Sequence, residues 1–80
     1  MNPEVIDVFP IDNYRLRIVF SDNAVKEFDV SPYLDKGVFR ALNNREYFAR
    51  ARVAFGAVEW PDGQDFSKDT LYLNSVKLSG

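Results

Sequence analysis

Three carboxylates lie close together in the second half of the chain and are the residues best suited to chemistry. Glu59, Asp62 and Asp65 surround a Pro-Asp-Gly turn. Neighbouring carboxylates can transfer protons or hold a hard metal ion. Their spacing does not match a calcium-binding loop, and the turn explains Asp62 without any chemistry. We therefore expect no catalytic or metal-binding site here, and a carboxylate-based enzyme is the least favoured hypothesis.

The sequence lacks the side chains that most enzymes use for acid–base or nucleophilic work. It contains no histidine and no cysteine. The commonest general base, the commonest metal ligand and the thiol nucleophile are therefore all missing. The four glycines are scattered and form no phosphate-binding loop. We expect a non-enzymatic protein that needs no cofactor.

Trp60 and three arginines are candidates for binding rather than for catalysis. Asp62 and Asp65 are further candidates for binding. Trp60 is the only tryptophan, and it is either a stacking platform for a ligand or a core residue at a strand end. Arg45, Arg50 and Arg52 form either a contact patch for an acidic partner or nucleic acid, or a solvated helix face. The sequence favours the structural interpretation in both cases.

Composition predicts one soluble domain spanning residues 1–80. The chain has 46% hydrophobic residues and a net charge of −2, with 10 bases against 12 acids. This balance is not the basic footprint of a nucleic-acid-binding protein. The N-terminus has no basic region or apolar run typical of a signal peptide, and no stretch is long enough to cross a membrane. We expect a cytoplasmic protein.

The elements that must position these residues begin with three strands. Residues 5–9 form the first, stopped by Pro10. Residues 14–20 and 24–30 form a hairpin whose three-residue loop places Asn23 in the left-handed region. In this register Leu16 is opposite Phe28, and two charge pairs form on the other face, Arg17 with Glu27 and Arg15 with Asp29.

Short helical turns, a second hairpin and a terminal helix complete the prediction. Helical turns are expected at residues 32–36, capped by Ser31, and at 38–42 and 45–48. A hairpin is expected at 52–60. The last helix begins after Ser67 and packs through Leu71 and Leu73, with Tyr72 as a further candidate, while residues 76–80 receive no assignment. Grouped strands predict an α+β fold. In chain order, three strands, short helical turns and two further strands are expected; the strands form an antiparallel sheet, and a C-terminal helix packs on one face of it.

The chain resembles a bacterial family known as domain of unknown function 2442, and the resemblance covers almost the whole sequence. Its most specific part is the stretch from Glu59 to Asp65. The other carrying residues are Pro3-Glu4-Val5, Tyr14-Arg15-Leu16 and Phe20, Phe28-Asp29-Val30, Gly37-Val38-Phe39, Leu42, Phe48 and Thr70-Leu71-Tyr72. One departure is the hairpin loop, where Asp22-Asn23 stands in place of the Asp-Gly of many members.

The resemblance implies a compact α+β domain without established catalytic residues. Many members are encoded beside another small domain, in pairs that resemble toxin–antitoxin modules. Some relatives carry a helix-turn-helix segment after this domain, whereas this sequence ends at Gly80. Nucleic acid is therefore not expected as a partner without an added DNA-binding segment.

Two classes of function follow as hypotheses. The first is a non-enzymatic interaction domain, the antitoxin-like partner of a small toxin, whose partner is a neighbouring-gene product or a second copy of the chain. The alternative is a small-ligand or nucleic-acid-binding module that uses Trp60 and the segment 45–52.

Overall fold

Strands from both ends of the chain form the larger of two antiparallel sheets in the computed structural model, which describes residues 1–79. Its strands lie in the order β1-β2-β3-β7, and those of the smaller sheet in the order β4-β5-β6. In chain order the strands are β1 (Val5–Ile11), β2 (Arg15–Phe20), β3 (Val25–Asp29), β4 (Arg52–Ala54), β5 (Ala57–Glu59), β6 (Asp65–Phe66) and β7 (Val76–Ser79). The helices are α1 (Arg45–Phe48) and α2 (Lys68–Asn74). The predicted α+β class, with antiparallel strands and a C-terminal helix, is confirmed, but the single predicted sheet is wrong because the second hairpin pairs with β6 in a sheet of its own.

The hairpin of β2 and β3 has the predicted register. Leu16 pairs with Phe28 and both side chains are buried. The loop closes through a hydrogen bond from the Asn23 amide to the Phe20 carbonyl at 2.9 Å, and Asn23 has φ 71°. Asparagine tolerates this left-handed conformation better than most residues. Alternating apolar residues and the loop length therefore suffice to fix this register.

One of the two predicted ion pairs on this hairpin is wrong. Arg17 contacts Glu27 at 3.2 Å as expected, but Arg15 contacts Glu27 at 2.7 Å instead of its direct neighbour Asp29. Asp29 accepts hydrogen bonds from the amide and the hydroxyl of Ser31. Because Asp29 holds the following turn, Arg15 reaches diagonally to the carboxylate that Arg17 also uses. Ser31 is thus held by Asp29 and caps no helix with its side chain.

The first strand is longer than the sequence predicts. Pro10 does not stop β1, which continues through Pro10 to Ile11 opposite β2. Proline has no backbone N–H to donate, whereas an inner strand forms backbone hydrogen bonds with a neighbouring strand on each side. Since β1 lies at the edge of its sheet, only one side of the strand needs partners. A register shift between Val5 and Asp7 further interrupts this edge.

Short helical pieces connect the two sheets, as predicted. Turns of 3₁₀ helix cover Ser31–Tyr33 and Gly37–Asn43, and α1 follows directly. The Asn44 side chain accepts the Tyr47 amide at 3.1 Å and so caps α1. The first piece is shorter than the predicted 32–36. Gly37 has φ 48° and begins the next turn rather than only ending the first.

The second hairpin and the C-terminal helix are also present, with two strands that the sequence did not reveal. The short strand β6 adds to the hairpin, and β7 pairs with β3. Ser67 caps α2 by accepting the Thr70 amide at 3.2 Å, as predicted. Leu71 is buried, but Leu73 is 70% exposed. Packing through Leu73 is wrong because residues two apart lie on opposite sides of a helix.

One hydrophobic core lies between the two sheets and the helical pieces. Its aromatic members contact one another in series, with Phe28 against Phe66 at 5.0 Å and Trp60 against Phe48 at 6.0 Å between ring centres. Only one face of the larger sheet faces this core. Within residues 1–79, no helix has the length and apolar character needed to cross a membrane.

Candidate functional site

Trp60 is a core residue. Its side chain is 0% exposed, and the indole Nε1 donates to the Phe48 carbonyl at 2.9 Å. The following turn is closed by a hydrogen bond from the Gly63 amide to the Trp60 carbonyl at 3.0 Å. The structural interpretation of Trp60 is thus confirmed, and the ring offers no free face to a ligand in this conformation.

The Tyr47 hydroxyl holds the turn that follows Trp60, a role that the sequence did not reveal. It donates to Gln64 Oε1 at 2.6 Å and accepts the Asp62 amide at 2.8 Å. Gln64 is a buried polar residue, 6% exposed, and its Nε2 donates to the Val38 carbonyl at 3.2 Å. This network ties α1, the 3₁₀ turn Gly37–Asn43 and the turn together. Nothing in the spacing of these residues signals it.

The candidate carboxylates do not converge on one point. Asp62 lies in the turn, whereas Glu59 and Asp65 are direct cross-strand neighbours on β5 and β6. Arg52 is opposite Glu59 on the other side. Arg52, Glu59 and Asp65 thus form a row across the smaller sheet. Among the described residues, no group of acidic side chains is arranged to hold a metal ion.

The candidate arginines are exposed and lie on three successive parts of the chain. Arg45 lines a pocket of about 500 Å³ between α1 and the end of β1, together with Asp12 and Phe48. Arg50 lies in the turn after α1 and Arg52 on β4. None of the three makes an ion pair within residues 1–79. The three arginines lie on different elements, and Arg52 and Asp65 are on opposite sides of Glu59 in the smaller sheet.

The outer face of the four-stranded sheet, defined as the side away from the core, carries a row of side chains across all four strands. Phe9 pairs with Arg17, Arg17 with Glu27, and Glu27 with Val76. Direct partners in antiparallel strands point to the same side of a sheet. Phe9 is 48% and Val76 70% exposed. The row therefore has an apolar residue at each end and an ion pair at its centre.

The centre of the outer face holds two arginines that share one glutamate. Glu27 accepts from Arg15 at 2.7 Å and Arg17 at 3.2 Å, and its side chain is only 15% exposed. The two arginine side chains cover it. Val19 and Val25, which are partners in the next row, are half-buried. Because Phe9, Arg17 and Val76 are exposed, this face is a mixed apolar and charged surface open to contact.

The hairpin loop is tied to α2 by an exposed polar contact. The Tyr72 hydroxyl donates to Asp22 at 2.6 Å and, with the Ala24 amide, holds the pKa of the Asp22 carboxyl below its usual value. The same contact with Asp22 raises the pKa of Tyr72. Lys26 Nζ donates to the Tyr72 carbonyl at 2.7 Å and lies 3.5 Å above the Tyr72 ring centre. These bonds position α2 and leave the outer face free.

Comparison with known proteins supports the resemblance drawn from the residues. The sequence matches the family described as "Protein of unknown function (DUF2442)" over residues 5–77. The fold is similar to the crystal structure of the "Putative DNA Binding Protein NE0471" from Nitrosomonas europaea ATCC 19718, with a TM-score of 0.80 and 34% identity. That match covers 91% of this chain and 48% of the other, so this chain spans about half the length of that protein. No curated protein matches the sequence.

Proposed function

This chain belongs to the DUF2442 family of proteins of unknown function, and we propose that it is a non-enzymatic domain that binds another protein through the outer face of its four-stranded sheet. The observation that carries the proposal is the row from Phe9 to Val76. Exposed apolar residues at both ends of an ion-paired centre suit a protein contact, since interfaces combine apolar area with paired polar groups.

Contact through the face is better supported than contact through the sheet edges. Natural proteins protect edges with proline, charge and irregular pairing. The β1 edge contains Pro10 and a register shift, and the β7 edge contains Lys77 and a second shift. Both edges are thus unsuited to accept an added strand. The outer face has no comparable protection, because Phe9 and Val76 remain exposed.

The partner that we propose is a small protein encoded beside this one, for which the chain acts as an antitoxin-like binder. The support for this finer role is the family resemblance and the shortage of catalytic residue types, with no histidine or cysteine. The same shortage supports a non-enzymatic role. We also propose a cytoplasmic location, in agreement with the lack of cysteine.

A second candidate is contact with nucleic acid through Arg45, Arg50 and Arg52. Two observations favour it: the three side chains are exposed, and the similar structure from Nitrosomonas europaea is described as a putative DNA-binding protein. The net charge of −2 opposes it. Since this chain spans about half of that protein, we propose that any nucleic-acid contact depends on a further segment.

Co-expression with the neighbouring-gene product, followed by calorimetric titration of the purified proteins, tests the main proposal. We expect Phe9→Ser or Val76→Ser to weaken binding about tenfold or more, as loss of an interface anchor does. Leu73→Ser is the matched control, because Leu73 and Val76 are both 70% exposed and Leu73 lies on α2. The Leu73→Ser change should alter the dissociation constant by less than about twofold.

Three outcomes would overturn this assignment. The absence of any complex with the neighbouring product contradicts the antitoxin-like role. Equal weakening by Leu73→Ser and Val76→Ser contradicts the outer face as the contact surface. A salt-dependent shift of a DNA duplex that the triple change Arg45→Ala, Arg50→Ala, Arg52→Ala abolishes would favour the second candidate instead.

A further inference from the structure

Phe55 is an aromatic residue that the fold leaves wholly outside. It lies at the tip of the second hairpin, between β4 and β5, and its side chain is fully exposed (101%). It is the only aromatic residue of residues 1–79 exposed to this extent. A single exposed apolar residue is common on protein surfaces. Its backbone conformation makes Phe55 different from such residues.

The Phe55 backbone is strained. Phe55 has φ 52° and Gly56 has φ 74°, so both residues of this two-residue turn lie in the left-handed region. Turns of this type strongly prefer Asn-Gly, Asp-Gly or Gly-Gly. A bulky side chain with positive φ is an outlier that persists only where the surroundings enforce it. Phenylalanine thus costs stability at this position and buries nothing in return.

The main body of the protein holds this turn in place. The Val5 amide donates to the Gly56 carbonyl at 2.9 Å, and the Ser21 amide donates to the Glu4 carbonyl at 2.8 Å. A Cβ atom on Gly56 would lie 3.0 Å from the Glu4 side chain. The tip therefore packs against the N-terminal segment. Phe55 is presented on a fixed support, which lowers the entropy lost when it is bound.

The surroundings of Phe55 indicate the chemistry of a partner. Ile6 follows Val5, whose amide binds the turn, and its side chain is 56% exposed. The Glu4 side chain borders Gly56 and adds a negative charge. An exposed aromatic ring and a carboxylate thus lie at this tip, and an exposed aliphatic residue follows in the adjoining strand. Phosphate groups of nucleic acid or of an anionic membrane would be repelled by Glu4.

We infer that Phe55 is an anchor residue that inserts into an apolar pocket with a basic rim on a partner protein. The inference rests on the proposed protein-binding function and adds a second contact, outside the outer face. Anchor residues of interfaces are typically aromatic side chains that fill a pocket on the partner. Glu4, whose side chain borders Gly56, pairs with the basic rim. A strained, exposed and supported aromatic residue satisfies these requirements together.

The first experiment needs no partner and measures the cost of Phe55 to the fold. Phe55→Asn should raise Tm by about 2–5 °C, because asparagine relieves the left-handed strain. Leu73→Asn, a matched exposed position without strain, should not raise it. A Phe55→Asn protein that is no more stable than the wild type would show that Phe55 contributes to the fold and would overturn the inference.

The second experiment identifies and tests the contact. A photoreactive benzoylphenylalanine replaces Phe55 in the producing cells, with the same group at Leu73 as control. The protein crosslinked only from position 55 is then purified and titrated with unlabelled chain. We expect Phe55→Ser to weaken binding about tenfold or more, Phe55→Tyr to retain most of it, and Leu73→Ser to leave it unchanged.

The remaining outcomes separate this inference from the proposed function. Equal binding by Phe55→Ser and wild type overturns the anchor, even where Phe9→Ser still abolishes binding and the outer face stands. Crosslinks only to a second copy of the chain, only to lipid, or to nothing also overturn it. If the neighbouring product does not bind but a Phe55-dependent partner is found, the antitoxin-like role fails and the anchor is supported.

Discussion

Removal of the Tyr47 hydroxyl should destabilise the protein far more than the partial exposure of Tyr47 suggests. In Tyr47→Phe the Gln64 side chain loses the donor to its Oε1, and the Asp62 amide loses its acceptor. Gln64 is 6% exposed, so water cannot readily replace the lost donor. Asp62 is exposed, and its amide can be hydrated instead. The cost should therefore arise mainly at Gln64.

The expected loss of stability follows from this difference in burial between Gln64 and Asp62. A buried polar atom left without a partner costs about 1–3 kcal/mol, so we expect about 2 kcal/mol for Tyr47→Phe. For a domain of this size, that free energy corresponds to a fall in Tm of about 8–16 °C. The ring itself stays in place. The loss should thus be purely one of hydrogen bonding, without a cavity.

Urea unfolding followed by Trp60 fluorescence measures the effect, and Tyr33→Phe provides the matched control. The Tyr33 ring stacks on Phe28 at 5.8 Å, but its hydroxyl makes no hydrogen bond within residues 1–79. The same chemical change there should cost less than about 0.5 kcal/mol. In the double variant Tyr47→Phe/Gln64→Met, the two costs should not add, because the buried acceptor is also removed.

Equal stabilities of Tyr47→Phe and Tyr33→Phe, at an unchanged urea dependence, would refute this reasoning. That result would mean that Gln64 finds water or another donor at no cost. The turn after Trp60 would then not depend on the network, and its residues would be available for another role. Additive effects in the double variant would lead to the same conclusion.

Three further predictions concern other parts of the structure. Trp60 should emit at short wavelength and resist quenching by acrylamide in the folded protein; strong quenching would contradict its burial. The Tyr72 hydroxyl lowers the pKa of Asp22 from its usual 3.8, so Asp22→Asn should be less stable than the wild type above about pH 4. This difference in stability should vanish as acid protonates the carboxyl in the folded protein. A difference that does not change between about pH 2 and 7 would argue against the contact. Leu71→Ala should cost about 2–5 kcal/mol in urea unfolding and Leu73→Ala less than about 0.5 kcal/mol, whereas similar losses would place α2 differently.

Local patterns predicted the parts of the fold that depend on neighbouring residues. The register of β2 and β3 follows from alternating apolar residues and from a loop that tolerates Asn23 in a left-handed conformation. The Ser67 cap of α2 is equally local. In each case the partners lie within about a dozen residues, so a short stretch contains the information. Such elements can be predicted without knowing the rest of the fold.

Elements that depend on distant partners were missed. β6 has two residues, Asp65–Phe66, too few to show any alternation, and it exists because β5 pairs with it. β7 is a strand because β3 offers an unpaired edge about fifty residues earlier in the chain. Pro10 was misjudged because its effect depends on whether β1 is an inner or an edge strand. Sheet order decides this, and local sequence does not contain it.

The outer face could be predicted only in part for the same reason. The Arg17–Glu27 pair follows from the hairpin register alone. Phe9 and Val76 join its row only through β1 and β7, whose extents the sequence did not reveal. The prediction paired Arg15 with Asp29 because the sequence does not show that the Asp29 carboxylate accepts two hydrogen bonds from Ser31. The surface that we propose for binding is thus a product of long-range pairing.

Two aromatic residues of the second hairpin show why the most recognisable stretch of a sequence need not contain its binding site. Trp60 directly follows β5 and is buried against Phe48, so the stability of the fold alone is a sufficient reason for its presence. Phe55 lies at the tip of the same hairpin, where asparagine or glycine would relieve strain. A residue that stabilises the fold identifies the fold. A residue that costs the fold stability, and is exposed on a fixed support, calls for a reason outside the molecule, and a partner protein is the reason that its aromatic ring fits best.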